Sequence, residues 1–124
     1  MKLYESGENY LETILMLKKT KNTVRSIDIA NHMGFTKPSV SRAMSILKKG
    51  NLIKIDETGA IELTDEGIEM AEKVLERHLT ITRFLSEHLG VSNEFAEVDA
   101  CRIEHVISDE TFRKMKEHLE EKWK

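Results

Sequence analysis

Apolar residues at Tyr10, Leu11, Ile14, Leu15 and Leu17 recur at helical spacing and predict a first helix over about 6–19. The polar run KKTKN at 18–22 ends it. Ser26 is placed to cap a short second helix over 27–33, and Gly34 to end it. Thr36 is placed to cap a third helix over 37–49, with Pro38 in its first turn and Gly50 at its end. Two short β-prone runs, 52–55 and 60–63, flank the acidic turn Asp56-Glu57-Thr58-Gly59 and predict a hairpin. Thr64 then caps a long helix over about 65–89, which Gly90 stops. A fifth helix starts at Ser92 or Asn93 and reaches about 107. Ser108 caps a last helix with apolar positions Phe112, Met115 and Leu119.

The predicted fold class is mainly α: an N-terminal winged helix-turn-helix over 1–72, followed by a helical C-terminal region over 73–124. Helix, short helix, Gly-containing turn, helix and hairpin is the order of that motif. Ile29, Met33, Val40, Ala43, Met44 and Leu47 can fill its small core. That leaves Thr36, Lys37, Ser39, Ser41 and Arg42 on the outer face of the third helix. Short polar and basic groups there suit major-groove edges and phosphates. Lys48 lies further along, where backbone phosphate would run.

Charge sharpens this picture. The 124 residues carry a net charge of −3, but 18–54 holds nine basic residues against one acidic, Asp28. Arg25 is among the nine. From Ile55 onward the balance reverses to nine basic against eighteen acidic. A basic segment on an acidic body points to a nucleic-acid surface on one part only. No apolar run is long enough to cross a bilayer, and MKLYESGENY shows no secretory pattern. With a single cysteine, Cys101, no internal disulfide is possible, so a reducing cytoplasmic setting is expected.

The acidic half carries a second signal in DACRIEH, 99–105. On a helix, Cys101, Glu104 and His105 sit at i, i+3 and i+4 and project from one face. Thiolate, carboxylate and imidazole are metal donors of differing softness. Glu97 adds a carboxylate one turn earlier, and His78 on the long helix could supply a further donor. Asn9 and Glu12, on one face of the first helix, could supply oxygen. One cysteine and no CxxC exclude a zinc-finger pattern. The donor set suits Fe(II), Mn(II), Co(II), Ni(II) or Zn(II). His32, His88 and His118 read as solvent-facing.

With both stretches in hand, the chain resembles the diphtheria toxin repressor and manganese transport regulator family of metal-dependent repressors. ENYLETILML, IDIANHMGFTKPSVSRAMSILKKGNLI and DACRIEHVISDE carry the resemblance across nearly the whole chain. It implies a homodimer formed by the C-terminal helices, and a metal site drawing on the first, long and fifth helices. Cys101, Glu104 and His105 match family ligands, and His78 matches a ligand of both branches. Glu12 matches a ligand of the manganese branch. Asn9 stands where the iron branch has Met and the manganese branch Asp. Glu97 stands where the iron branch has a second-site His, and Thr82 where it has Glu. Thr36, Pro38, Ser39 and Arg42 occupy recognition-helix positions. The length resembles the two-domain form without the SH3-like domain.

The expected function is therefore a metal-dependent repressor of metal-homeostasis genes. A divalent metal, Fe(II) ahead of Mn(II), would activate it to bind double-stranded operator DNA. Neither a membrane nor a small-molecule substrate is expected. The alternatives are a metal-independent winged-helix regulator answering a small ligand and, more remotely, a small metalloenzyme using Cys101, Glu104 and His105. The triplet adjoins no oxyanion-type loop, and an enzyme would leave the basic segment unexplained.

Overall fold

The computed structural model describes residues 5–122. The chain divides into two compact units, Met1–Glu72 and Lys73–Lys124. In the first unit, the apolar stripe of the opening segment becomes α1 (Glu5–Thr20), followed by α2 (Ser26–Met33) and α3 (Lys37–Lys49). Strands β1 (Ile53–Ile55) and β2 (Ile61–Leu63) pair antiparallel, with Ile53 opposite Leu63 and Ile55 opposite Ile61. The alternation is that of a half-buried hairpin: Ile53 and Ile61 are buried, while Lys54 and Glu62 face solvent. Leu11, Ile14, Val24, Ile29, Val40, Met44 and Leu47 complete a core shared by the three helices and the hairpin.

Local chemistry fixes the joints. The first residue before α2 is Arg25, not Ser26 as the sequence suggests. The Asp28 carboxylate accepts the Arg25 backbone N–H at 2.9 Å, so an acidic side chain from the first turn reaches back to the residue before the helix. Gly34 adopts φ 71°, and its N–H and that of Phe35 both reach the Ala30 carbonyl, closing α2 with a left-handed turn. Thr36 Oγ1 accepts the Ser39 N–H at 3.3 Å at the start of α3. At the other end the expected stop, Gly50, keeps an ordinary φ of −78°, and the left-handed residue is Asn51 at φ 61°. Leu52 N–H then returns to the Leu47 carbonyl and the chain enters β1.

Thr64 caps α4 (Asp65–Arg83): its Oγ1 accepts the Gly67 N–H at 3.0 Å, and its hydroxyl donates to the Asn51 carbonyl. Gly67 is buried against the Leu52 carbonyl, where a Cβ would stand 2.0 Å from the oxygen. Only glycine permits that approach of helix to hairpin.

The unit boundary falls within α4. In the second unit α4 passes into a π-helical turn, Phe84–His88, and not the uninterrupted α-helix to 89 that periodicity predicts. Gly90, at φ 74°, follows. Then come α5 (Asn93–Ile103) and α6 (Asp109–Lys122). Ile81, Leu85, Ala96 and Ala100 form the core of this unit, with Phe84, Ile103, Phe112 and Met115 against them. Ser108 caps α6 by accepting the Thr111 N–H at 3.1 Å. No helix among the described residues is long and apolar enough to cross a membrane.

Candidate nucleic-acid interface and metal centre

In the first unit, Thr36, Lys37, Pro38, Ser41, Arg42 and Lys48 are exposed on α3 or at its start, and Ser39 is half-buried. Ser39 is tied down: its amide reaches Thr36 Oγ1, and the Thr36 hydroxyl donates to Ser39 Oγ at 2.9 Å. Arg42 begins an exposed strip that continues through Ser45, Ile46 and Lys49 at helical spacing. Ser45 and Ile46 are not among the candidates that the sequence marks. Ile46 is 55% exposed, an apolar group standing alone among polar neighbours, and that isolation is the signal that could have marked it.

The nine basic residues of the segment are not equivalent. Lys18 Nζ lies 2.7 Å from Glu62 and Lys21 Nζ 3.1 Å from Asp28. Arg25 Nε donates to the Thr58 carbonyl at the tip of the hairpin, 3.2 Å away. Among the described residues, Lys19, Lys37, Arg42, Lys48, Lys49 and Lys54 have no ion-pair partner and are exposed. The hairpin tip is acidic and ordered by Asp56, whose Oδ1 accepts from the Thr58 hydroxyl, the Thr58 N–H and the Ala60 N–H. Those bonds, the Thr58 hydroxyl first, hold the Asp56 carboxyl below the usual carboxylate range.

In the second unit, one ligand atom each from Cys101, Glu104 and His105 lies within 4.8 Å of the others. The route differs from the one the sequence suggests. α5 ends at Ile103 rather than near 107, so Glu104 is the residue that closes the helix and His105 sits in the turn beyond it. Glu104 N–H still reaches the Ala100 carbonyl at 2.9 Å, which keeps its side chain on the Cys101 face. That side chain is fully buried, and the side chain of His105 is 1% exposed. His78, on α4, shares a hydrogen bond between its Nδ1 and Glu104 Oε2 at 2.9 Å. Glu104 Oε1 lies 3.2 Å from His105 Nε2, but no donor is aimed at it, leaving a buried carboxylate oxygen without a hydrogen bond among the described residues.

The fit to a metal ion can be judged from these contacts. Donors held 2.0–2.3 Å from one ion lie at most about 4.6 Å apart, and the Cys101, Glu104 and His105 ligand atoms lie within 4.8 Å of one another. A buried carboxylate oxygen lacking a donor costs about 1–3 kcal/mol or more, a cost that a cation removes. Cys101, Glu104 and His105 therefore suit a divalent metal, and His78 adjoins them through its bond to Glu104. Glu97 is exposed and lines an open cavity of about 410 Å³ with His78, Val98, Cys101 and Arg102. Asn9 and Glu12 lie on α1 of the first unit, three residues apart and half-buried.

Of the remaining histidines, His32 and His118 are exposed as expected, but His88 is not. It is half-buried, stacked on Phe84 at 5.4 Å with the His118 ring 4.6 Å away. The π-helical turn places it there. Arg77, which no sequence pattern marks, donates to the Glu104 and Ile107 carbonyls.

A winged helix-turn-helix followed by a helical unit with clustered metal donors defines a class of metal-responsive DNA-binding proteins. The chain belongs to the iron-dependent repressor family. Residues 2–61 match its "N-terminal DNA binding domain" and residues 64–122 its "metal binding and dimerisation domain". Members of this family are metal-dependent transcriptional repressors, not enzymes. An uncharacterised HTH-type transcriptional regulator of Methanocaldococcus jannaschii is 32% identical over 117 residues, 94% of either chain. The diphtheria toxin repressor of Corynebacterium glutamicum is 29% identical over 119 residues, 96% of this chain but 52% of its own length. The solved structure of the manganese regulator SloR superposes with a TM-score of 0.82 at 26% identity, covering 97% of this chain and 55% of that one. The chain thus spans about half the length of the diphtheria toxin repressor it matches. The mainly helical fold with an N-terminal winged helix-turn-helix agrees with the sequence expectation.

Proposed function

We propose that this protein is a metal-dependent transcriptional repressor that binds duplex operator DNA as a homodimer. Cys101, Glu104, His105 and His78 would hold a divalent transition metal, with Glu97 at the margin of the group. Asn9 and Glu12, on one face of α1, are the first unit's candidate donors. The observation that carries the reading is the buried Glu104 carboxylate, set between two imidazoles and beside a thiol, with one oxygen lacking a hydrogen bond. When bound, the metal supplies positive charge that this carboxylate lacks. The thiol of Cys101 favours Fe(II), a softer choice than Mn(II).

On the DNA side, Thr36, Ser39, Ser41 and Arg42 would face base edges, with Ile46 suited to a thymine methyl. Lys37, Lys48 and Pro38 would lie along the phosphate backbone. Arg25 contributes by holding the hairpin tip. The regulated genes would be those of metal homeostasis, in the cytoplasm. Metal and DNA binding are linked, and the gain in operator affinity can be no larger than the metal's preference for the DNA-competent arrangement.

The test is an anaerobic operator-binding titration with Fe(II), Mn(II), Zn(II) and a chelator, comparing the wild type with Glu104→Gln. Metal is expected to raise wild-type affinity, chelator to reverse it, and Glu104→Gln to remove the dependence. Metal-insensitive binding by the wild type would favour a winged-helix regulator answering some other ligand.

A further inference from the structure

We infer that Arg77 is a positioning residue for the metal donors, setting the turn that carries Glu104 and His105. The inference rests on the metal reading of those two residues. α5 stops at Ile103, whose carbonyl accepts the Val106 and Ile107 N–H groups, leaving the Glu104 and Ile107 carbonyls of the following turn to side-chain donors. No glycine or proline stands between Ile103 and Ser108 to set the exit. The guanidinium of Arg77 supplies the missing donors: Nη1 reaches the Glu104 carbonyl at 3.2 Å and the Ile107 carbonyl at 3.3 Å. Nη2 pairs with Asp109 in the first turn of α6, and the group lies 5.3 Å from the Phe112 ring centroid. The Arg77 side chain is 23% exposed, so these bonds are largely shielded from water.

His105 lies between the two gripped carbonyls, and its backbone has little freedom while both are held. Glu104 is held twice from α4: its carbonyl by Arg77, its carboxylate by the adjacent His78. Two neighbouring residues on one helix thus fix the backbone and the side chain of a single donor. The arrangement needs a planar fork. Lysine offers one ammonium, which cannot span two carbonyls and a carboxylate with comparable geometry. Asp109 is 93% exposed, and its pair with Arg77 adds little by itself.

The test uses Co(II), whose visible absorption reports ligand geometry and whose near-ultraviolet band reports thiolate ligation. Co(II) affinity and spectrum are measured anaerobically for the wild type, Arg77→Met, Arg77→Lys and Met115→Ala, together with thermal unfolding of the metal-free proteins. Arg77→Met keeps an apolar stem against Phe112. It is expected to weaken Co(II) binding about 10–100-fold, the usual effect of losing a group that orients a ligand, and to alter the visible band. Arg77→Lys should recover part of the affinity. Met115→Ala opens the core of the same unit, and should lower the unfolding midpoint while leaving the Co(II) spectrum unchanged. Wild-type affinity and spectrum in either Arg77 variant would overturn the inference, as would an equal loss in Met115→Ala. Failure of the wild type itself to bind Co(II) would instead overturn the underlying metal reading, and is seen before any variant is compared.

Discussion

Asp28 shows how a single side chain can serve a helix end and a charge pair together. Its carboxyl is held below the usual range, first by the Arg25 backbone N–H and then by Lys21. A carboxyl with a depressed folded-state pKa contributes stability above its unfolded value of about 3.9, and loses it as pH falls through the folded value. Asp28→Ala is therefore expected to lower stability by at most about 1 kcal/mol at pH 7, the worth of a solvent-screened hydrogen bond and charge pair. The gap to the wild type should narrow in acid denaturation profiles below about pH 4. A gap that stays constant with pH would show that the carboxylate charge is not what matters. At this scale the candidate metal site was legible because Cys101, Glu104 and His105 lie within five residues of one another. The Glu104–His78 bond was legible only as a possibility, since it spans 26 residues that spacing cannot bridge. Arg77 was invisible for the same reason: its partners are backbone carbonyls 27 and 30 residues away, and backbone atoms leave no mark in a sequence.

Among the elements, those with local punctuation could be read directly. α3 carries a threonine cap, an early proline and a polar end, and it runs over Lys37–Lys49 as expected. The hairpin followed from two β-prone runs around a Gly-containing turn. The elements misjudged are those whose ends are set by distant groups. α5 gives way to a turn in which the Val106 and Ile107 N–H groups reach the Ile103 carbonyl and Arg77 holds the Glu104 and Ile107 carbonyls, and the π-helical turn at Phe84–His88 has no composition of its own. The contact between α4 and the hairpin gives a prediction at this scale. Gly67→Ala would drive a Cβ into the Leu52 carbonyl, so backbone must move. Denaturant unfolding should show a loss of about 1–3 kcal/mol, the usual cost of overpacking. A neutral result would mean that the base of the hairpin yields without strain.

For the molecule as a whole, charge distribution makes the most direct prediction. Six exposed basic residues lack an ion-pair partner among the described residues, and two of them, Lys37 and Arg42, lie in the first half of α3. If Lys37 contacts phosphate, Lys37→Ala should reduce the slope of log affinity against log salt by about one per contact, and weaken binding to all sequences alike. If Arg42 reads a base, Arg42→Ala should instead cost about 1–3 kcal/mol on the operator and relax its specificity. Gel-shift titrations across a salt series on operator and scrambled duplex separate the two roles. Equal effects of both variants on both duplexes would remove Arg42 from base reading.

Lys18, Lys21 and Arg25 are engaged within their own unit, and this bears on how the protein searches a chromosome. Sequence-independent hold on DNA comes from cations able to displace counterions. With three of nine basic groups engaged within the unit, the hold on arbitrary DNA would be weaker than the composition of the segment suggests. Under the proposed metal dependence, occupancy of a target site would then follow the supply of metal more closely than the number of protein copies.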